Sequence, residues 1–195
     1  MKKFELTTDT KMFLGRKLFR IKALISFGNV KVGDMGGYIE KEENLSQSGD
    51  AWVSGNAWVY GNAKVYGNAW VSGNAEVSGN AEVSGNAEVS GNAKVYGNAW
   101  VSGNAWVSGN AWVSGNAEVY GNAGYATASG FGSEYRATTF FKLKNSDEIG
   151  VRCGCFYGTL KEFKEKVKET HGESKKAKEY LMLADLMEYR FSEEK

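Results

Sequence analysis

The chain is expected to fold as a mainly β protein built on a parallel β-helix, and three observations carry that expectation. From Gly49 to Ala126 it repeats Gly-Asn-Ala-x-Val-Ser/Tyr without interruption, giving thirteen consecutive hexads; a short fixed period of this kind is the mark of a solenoid. Within each hexad Ala and Val lie two apart, so they share one face of a short strand and point inward while the residue between them points out. The Gly-Asn pair then turns the chain, since both residues tolerate positive φ. A long α-helix competes poorly, because six is not a multiple of 3.6 and each interior Gly costs about 1 kcal/mol.

The pattern resembles that of the hexapeptide acyltransferases, in which an aliphatic residue, two variable ones and a small one recur. That resemblance implies a left-handed β-helix with three hexads, or 18 residues, per triangular coil. The outward positions then stack as Trp52, Trp70, Glu88 and Trp106 on one face. The second face carries Trp58, Glu76, Lys94 and Trp112, and the third Lys64, Glu82, Trp100 and Glu118. Glu76 meets Lys94 and Lys64 meets Glu82 one coil apart, and opposite charges on neighbouring strands stabilise each other by roughly 0.2–1 kcal/mol. The Asn residues are expected to form amide ladders along the corners.

Residues 1–48 are expected to be an N-terminal β cap, because a stack of strands has raw edges that must be covered. Lys3–Leu6 alternates as a strand, Leu18–Ile25 reads as a second, Val30–Asp34 as a strand and turn, and Asn44–Ser48 as a degraded hexad. Residues 49–126 are the β-helix proper. Residues 127–195 read as a C-terminal unit: a Gly/Ser-rich connector over 127–136, a hairpin of Thr139–Lys144 with Ile149–Phe156, then two helices. Thr159 and Glu162 form a capping box at the first helix, Gly172 ends it, and Ser174 opens the second. The second helix carries Tyr180, Leu181, Ala184, Met187 and Phe191 at helical spacing. Leu183, Leu186, Met187 and Phe191 are candidates for an oligomer contact.

Twenty-four cations balance twenty-three acids, so net charge is +1 and no overall basic field favours nucleic acid. The β-helix segment has two Lys against five acids. No membrane span is expected, since no segment approaches the roughly 20 apolar residues one needs. No secretory leader is expected either, as the start lacks an apolar run. Cys153 and Cys155 are the only cysteines; they share one face of the expected strand, read as buried thiols, and suit a reducing cytoplasm. Structural zinc wants four ligands, so no metal or other cofactor is expected. His171 is the single histidine. It sits at a helix end, where a cation satisfies last-turn carbonyls, and no loop interrupts the hexads to build an acceptor pocket.

The six Trp residues are the exception to this bland surface. Trp52, Trp58, Trp70, Trp100, Trp106 and Trp112 all point outward in the 18-residue register, with Tyr60, Tyr66, Tyr96 and Tyr120 beside them. Exposed aromatic rows mark contact surfaces; the competing reading places these rings under the caps or against one another.

Phe4-Glu5-Leu6, Leu18-Phe19-Arg20-Ile21-Lys22-Ala23 and Gly33-Asp34-Met35-Gly36-Gly37-Tyr38-Ile39-Glu40, followed by hexads and by Cys153-Gly154-Cys155-Phe156, resemble uncharacterised hexapeptide-repeat proteins of tailed phages and prophages. The resemblance implies a cytoplasmic setting in an infected or lysogenic bacterial host. A non-enzymatic binding protein is expected: a homo-oligomer acting as a host-takeover or anti-defence inhibitor that blocks an immune effector such as a CRISPR or other nuclease system. Its partner would be a host protein or a protein–nucleic acid complex, with direct nucleic-acid binding disfavoured. The alternatives are an oligomeric sponge for a nucleotide signal, a virion or scaffold component, and an acyltransferase using His171.

Overall fold

The computed structural model describes residues 1–132, 134 and 136–192. It is a parallel β-solenoid of about five coils with a β cap before it and a four-stranded sheet and two helices after it. Three strands open the chain: β1 (Phe4–Phe13), β2 (Arg16–Ala23) and β3 (Met35–Ile39). Twelve two-residue strands follow, β4 to β15, each the x-Val pair of one hexad, from Trp52–Val53 to Glu118–Val119. They pair strictly eighteen residues apart, so Trp52, Trp70, Glu88 and Trp106 stack on one face. Trp58, Glu76, Lys94 and Trp112 stack on the second, and Lys64, Glu82, Trp100 and Glu118 on the third.

The physical basis of this stack is local. The Ala and Val side chains of the first twelve hexads are buried and fill the triangular core. Every hexad Gly from Gly49 to Gly115 holds a positive φ, which turns the corner. Between coils, x, Ser/Tyr and Asn each donate a backbone N–H to the coil that follows: Trp58 to Ala75 (2.9 Å), Tyr60 to Val77 (3.0 Å) and Asn62 to Gly79 (2.8 Å). The expected amide ladders run beside them, as in Asn62 to Asn80 (3.2 Å) and Asn80 to Asn98 (3.0 Å).

Parallel stacking begins before the regular hexads. Tyr38 and Ile39 of β3 pair with Trp58 and Val59, and Leu45 bridges Val65, at offsets of twenty residues instead of eighteen. The extra two residues precede Ala51, and Lys3 fills the corner they leave. Its ammonium is buried and donates to the carbonyls of Ala51 (2.8 Å) and Gly49 (3.2 Å). The Asn44 amide donates to Ala63 (2.8 Å) and Gly61 (3.1 Å), and a Glu40 carboxylate oxygen accepts the Gly61 N–H (2.6 Å) while pairing with Arg16. Side chains thus satisfy the first coil where no preceding coil can. Residues 30–34 form no strand; only an isolated Phe27–Val30 bridge and a turn occur there.

The C-terminal unit is richer in strands than expected. β16 (Tyr125–Ala128), β17 (Thr138–Lys142), β18 (Ile149–Cys153) and β19 (Phe156–Thr159) form one antiparallel sheet in that order. The thirteenth hexad offers no Val to the core, so the chain leaves the prism at Tyr125 and pairs with Phe141; part of the supposed connector is therefore a strand. Two of its residues, Ser133 and Tyr135, lie outside the described set. Strand alternation sends Phe141 into the end of the prism core and Phe140 into a second core with Val151, Phe163, Tyr180 and Ala184. Helices α1 (Leu160–His171) and α2 (Lys175–Phe191) pack there; Thr159 and Glu162 form the capping box, and Ser174 caps α2. No helix among the described residues is long and apolar enough to cross a membrane.

Two expectations about this unit need correction. Met187 is buried in the second core, and Leu183 and Phe191 pack against it, because the sheet covers more of α2 than a lone helix would. Of the candidate oligomer residues only Leu186 is exposed (54%), beside Met182 (71%) and Tyr189 (81%). Cys153 and Cys155 do not share a strand face: Cys153 ends β18, half-buried, whereas Cys155 lies exposed in the turn after Gly154.

Candidate functional site

Most of the outward aromatic side chains are used within the molecule. Trp52, expected on the exterior, is only 2% exposed, because Phe27 of the N-terminal cap lies edge-on against it (5.4 Å). Phe13 covers Trp58 in the same way (4.7 Å), and burial leaves the Trp58 indole nitrogen without a partner among the described residues. Two of the three N-terminal Trp residues are therefore the floor of the cap. The third, Trp70, donates its indole N–H to Ser54 (3.1 Å).

That last contact recurs along the prism. An outward residue meets the Ser or Tyr sixteen positions before it. Trp70 donates to Ser54, Trp100 to Ser84 (3.2 Å) and Trp106 to Ser90 (3.0 Å). Two Tyr residues meet a Glu in the same way: Tyr66 donates to Glu82 (2.8 Å), and Tyr60 donates to Glu76. Burial, reinforced by the Glu76 carboxylate, pushes the Tyr60 phenol up to about 12, and the same causes raise Tyr66. Tyr96 precedes a Trp instead, Trp112, and the Arg152 guanidinium lies over both rings (5.8 and 5.3 Å). These hydroxyls thus tie successive coils together at five points along the prism.

Charge follows the same logic. Lys94 pairs with Glu76 (3.1 Å), as the register predicts, and lies over Trp112 (5.5 Å). Lys64 and Glu82 are neighbours in register, with Glu82 accepting the Tyr66 hydroxyl. Lys144 sits over Trp100 (4.9 Å). Together with Arg152, it clamps the C-terminal sheet to the prism by cation–π contacts. Trp100 and Trp112 are therefore docking surface for the chain's own cap.

Two of the ten candidate aromatics remain largely open: Trp106 (52%) and Tyr120 (75%), both on the last coil. Trp106 borders a cleft of about 630 Å³ lined also by Ser108, Asn110, Tyr125 and Arg190. A second cleft of about 520 Å³ lies in the C-terminal unit, with Phe156, Phe163 and Tyr180 as apolar wall and Arg136, Lys166 and His171 on its rim. The His171 ring stacks on Tyr180 (5.9 Å between centroids). Cys153 accepts from Thr138 (3.2 Å) and reaches the Tyr180 hydroxyl (4.0 Å). Arg190, Tyr125 and Arg136 were not among the sequence candidates. Arg136 and Arg190 lie outside the hexads and Tyr125 in the degenerate last one, all on elements whose position depends on where the chain leaves the prism.

Fold and surface define a parallel β-solenoid repeat protein. Its repeats match the family model described as YdcK beta solenoid repeat over residues 57–73, 93–109 and 101–115. The match lies in the hexads and makes that part of the chain similar to those repeats. No curated protein matches the chain.

Proposed function

We propose that the chain is a non-enzymatic binding protein in which the solenoid is a rigid spacer and the C-terminal unit makes the protein contact. The observation that carries this reading is the stripe Met182, Leu186 and Tyr189 on α2, spaced four and three residues apart and open to solvent. Such a stripe suits a partner helix or groove. The prism faces, by contrast, spend most of their aromatic and charged side chains on one another, and the uninterrupted hexads leave no loop around an acceptor pocket. The resemblance to phage and prophage repeat proteins supplies the setting: an anti-defence factor that binds and blocks a bacterial immune effector, such as a nuclease complex.

The test is affinity capture from a bacterial lysate with the wild-type chain and with Met182→Ser/Leu186→Ser/Tyr189→Ser. These positions are exposed, so the variant folds. Enrichment of a defence-nuclease component by the wild type alone supports the reading, and identical captured sets overturn it.

One observation favours a second reading, a homodimer through the same stripe. The start of α2 is basic (Lys175, Lys176, Lys178), whereas its later part carries Asp185 and Glu188, both paired with Lys164 of α1 (2.8 and 2.6 Å) yet largely exposed. Two copies packed antiparallel would match these charges. Sedimentation at tens of micromolar then shows a dimer that Leu186→Lys abolishes.

A further inference from the structure

We propose that the cleft beside Trp106 binds a mononucleotide, with the phosphate on donors from Ser108, Asn110 and Arg190 and the base against the Trp106 indole. The inference is independent of the protein-contact reading, because it uses a different surface.

The face that carries Trp106 is held by a ladder of backbone hydrogen bonds. On this face Ser54, Ser72 and Ser90 each donate a backbone N–H to the Val of the next coil, at 2.8, 2.9 and 2.9 Å. Asn56, Asn74 and Asn92 each donate to the next Gly at 2.8 Å. One coil later the pattern has no continuation. The residues that would accept from Ser108 and Asn110 are Tyr125 and Thr127, and both have turned away to pair with Phe141 and Thr139 in the antiparallel sheet. Among the described residues, neither the Ser108 nor the Asn110 N–H has an acceptor.

The amide ladder ends at the same place and with the same polarity. Asn92 donates its side-chain amide to the Asn110 oxygen (3.2 Å). That contact leaves the Asn110 NH₂ as the free end, since position 128 is Ala. Trp106 differs in this respect: its backbone N–H is satisfied by Asn122 (2.7 Å) and its carbonyl by the Tyr125 hydroxyl (2.6 Å), which fixes the indole at the cleft wall. The unsatisfied groups are therefore donors, and they sit next to one another.

Arg190 completes the set. It reaches this cleft from the last turn of α2, is exposed, and makes no ion pair or hydrogen bond among the described residues. Among the described residues no Asp or Glu lines the cleft. Neighbouring open backbone N–H groups with an Arg and, among the described residues, no carboxylate suit an oxyanion. A cleft of about 630 Å³ is larger than an inorganic anion needs and falls within the usual range for small organic ligands. The flat ring offered beside the donors is Trp106, whose indole N–H is already engaged by Ser90. It can therefore contribute stacking rather than a hydrogen bond.

Isothermal titration with AMP, adenosine, inorganic phosphate and benzoate tests the assignment. AMP is expected to bind about tenfold to a hundredfold more tightly than phosphate, the gain that stacking one base supplies. Arg190→Ala should weaken AMP and phosphate alike by about tenfold. Trp106→Ala should weaken AMP while leaving phosphate unchanged. Both side chains are largely exposed, so circular dichroism should show both variants folded. The proposal is overturned if AMP gives no heat up to about 5 mM, if Arg190→Ala binds AMP unchanged, if adenosine binds as tightly as AMP, or if benzoate, a carboxylate on a flat ring, binds more tightly than AMP.

Discussion

The corner glycines allow the stacking geometry to be tested by two chemically identical substitutions. Gly85 and Gly109 both hold left-handed backbone, at φ +65° and +68°. An alanine there costs about 1–2 kcal/mol for the conformation alone, partly offset by about 0.4–1 kcal/mol from the stiffer unfolded chain. The surroundings differ. A Cβ on Gly109 meets nothing within 4 Å, because the chain has left the prism beyond it. A Cβ on Gly85 comes within 3.0 Å of the Gly103 nitrogen and 3.1 Å of its oxygen. Those are backbone atoms, held by the Asn86 to Gly103 bond of 2.8 Å and the Ser84 to Val101 bond of 2.9 Å. They can yield only if the coils separate. Overpacking of this kind costs about 1–3 kcal/mol. Gly109→Ala is therefore expected to lose about 1 kcal/mol and Gly85→Ala about 2–4 kcal/mol. Equilibrium urea unfolding followed by circular dichroism reads both, with an unchanged slope against urea. Equal losses in the two variants would refute the claim that corner glycines are needed for contact between coils as well as for turning.

Two further outcomes follow from the caps. Burial lowers the Lys3 amine from its usual 10.5 to about 8, against the opposing pull of Asp50. Between those values the unfolded chain holds more protons than the folded one, so Lys3 makes stability rise with pH across about 8–10, by up to about 3 kcal/mol. Above pH 10 the raised Tyr60 phenol opposes the trend, since the unfolded chain then loses its proton first. Urea midpoints at pH 7.5 and 9.5 should show the rise in the wild type and its absence in Lys3→Met; an equal rise in both would refute the assignment. Separately, Trp52→Ala should lose about 3–5 kcal/mol as a cavity forms under Phe27, whereas Trp106→Ala should lose less than about 1 kcal/mol. Thermal unfolding of the two variants separates them, and similar losses would mean the N-terminal cap does not bury Trp52.

The hexads were legible to the level of individual neighbours. The prediction that Glu76 lies beside Lys94 required only the period and the number of hexads per coil. The Asn ladders required no more. The aromatic positions were legible as outward and illegible as exposed. Trp52 and Trp106 occupy equivalent places in the repeat, and only a cap ring distinguishes them: Phe27 covers the first, while the chain has already left the prism near the second. The cleft beside Trp106 was likewise illegible, since Arg190 reaches it from a helix more than eighty residues later in the chain.

The sequence alone determined the solenoid, its three faces and its inward residues, because each hexad encodes its own strand, its own corner and its own contribution to the core. Only the tertiary structure decided where the stack ends and which donors it leaves open. Those outcomes depend on Tyr125 and Thr127 pairing with Phe141 and Thr139 of the strand that follows the repeats, and no repeat unit contains that pairing.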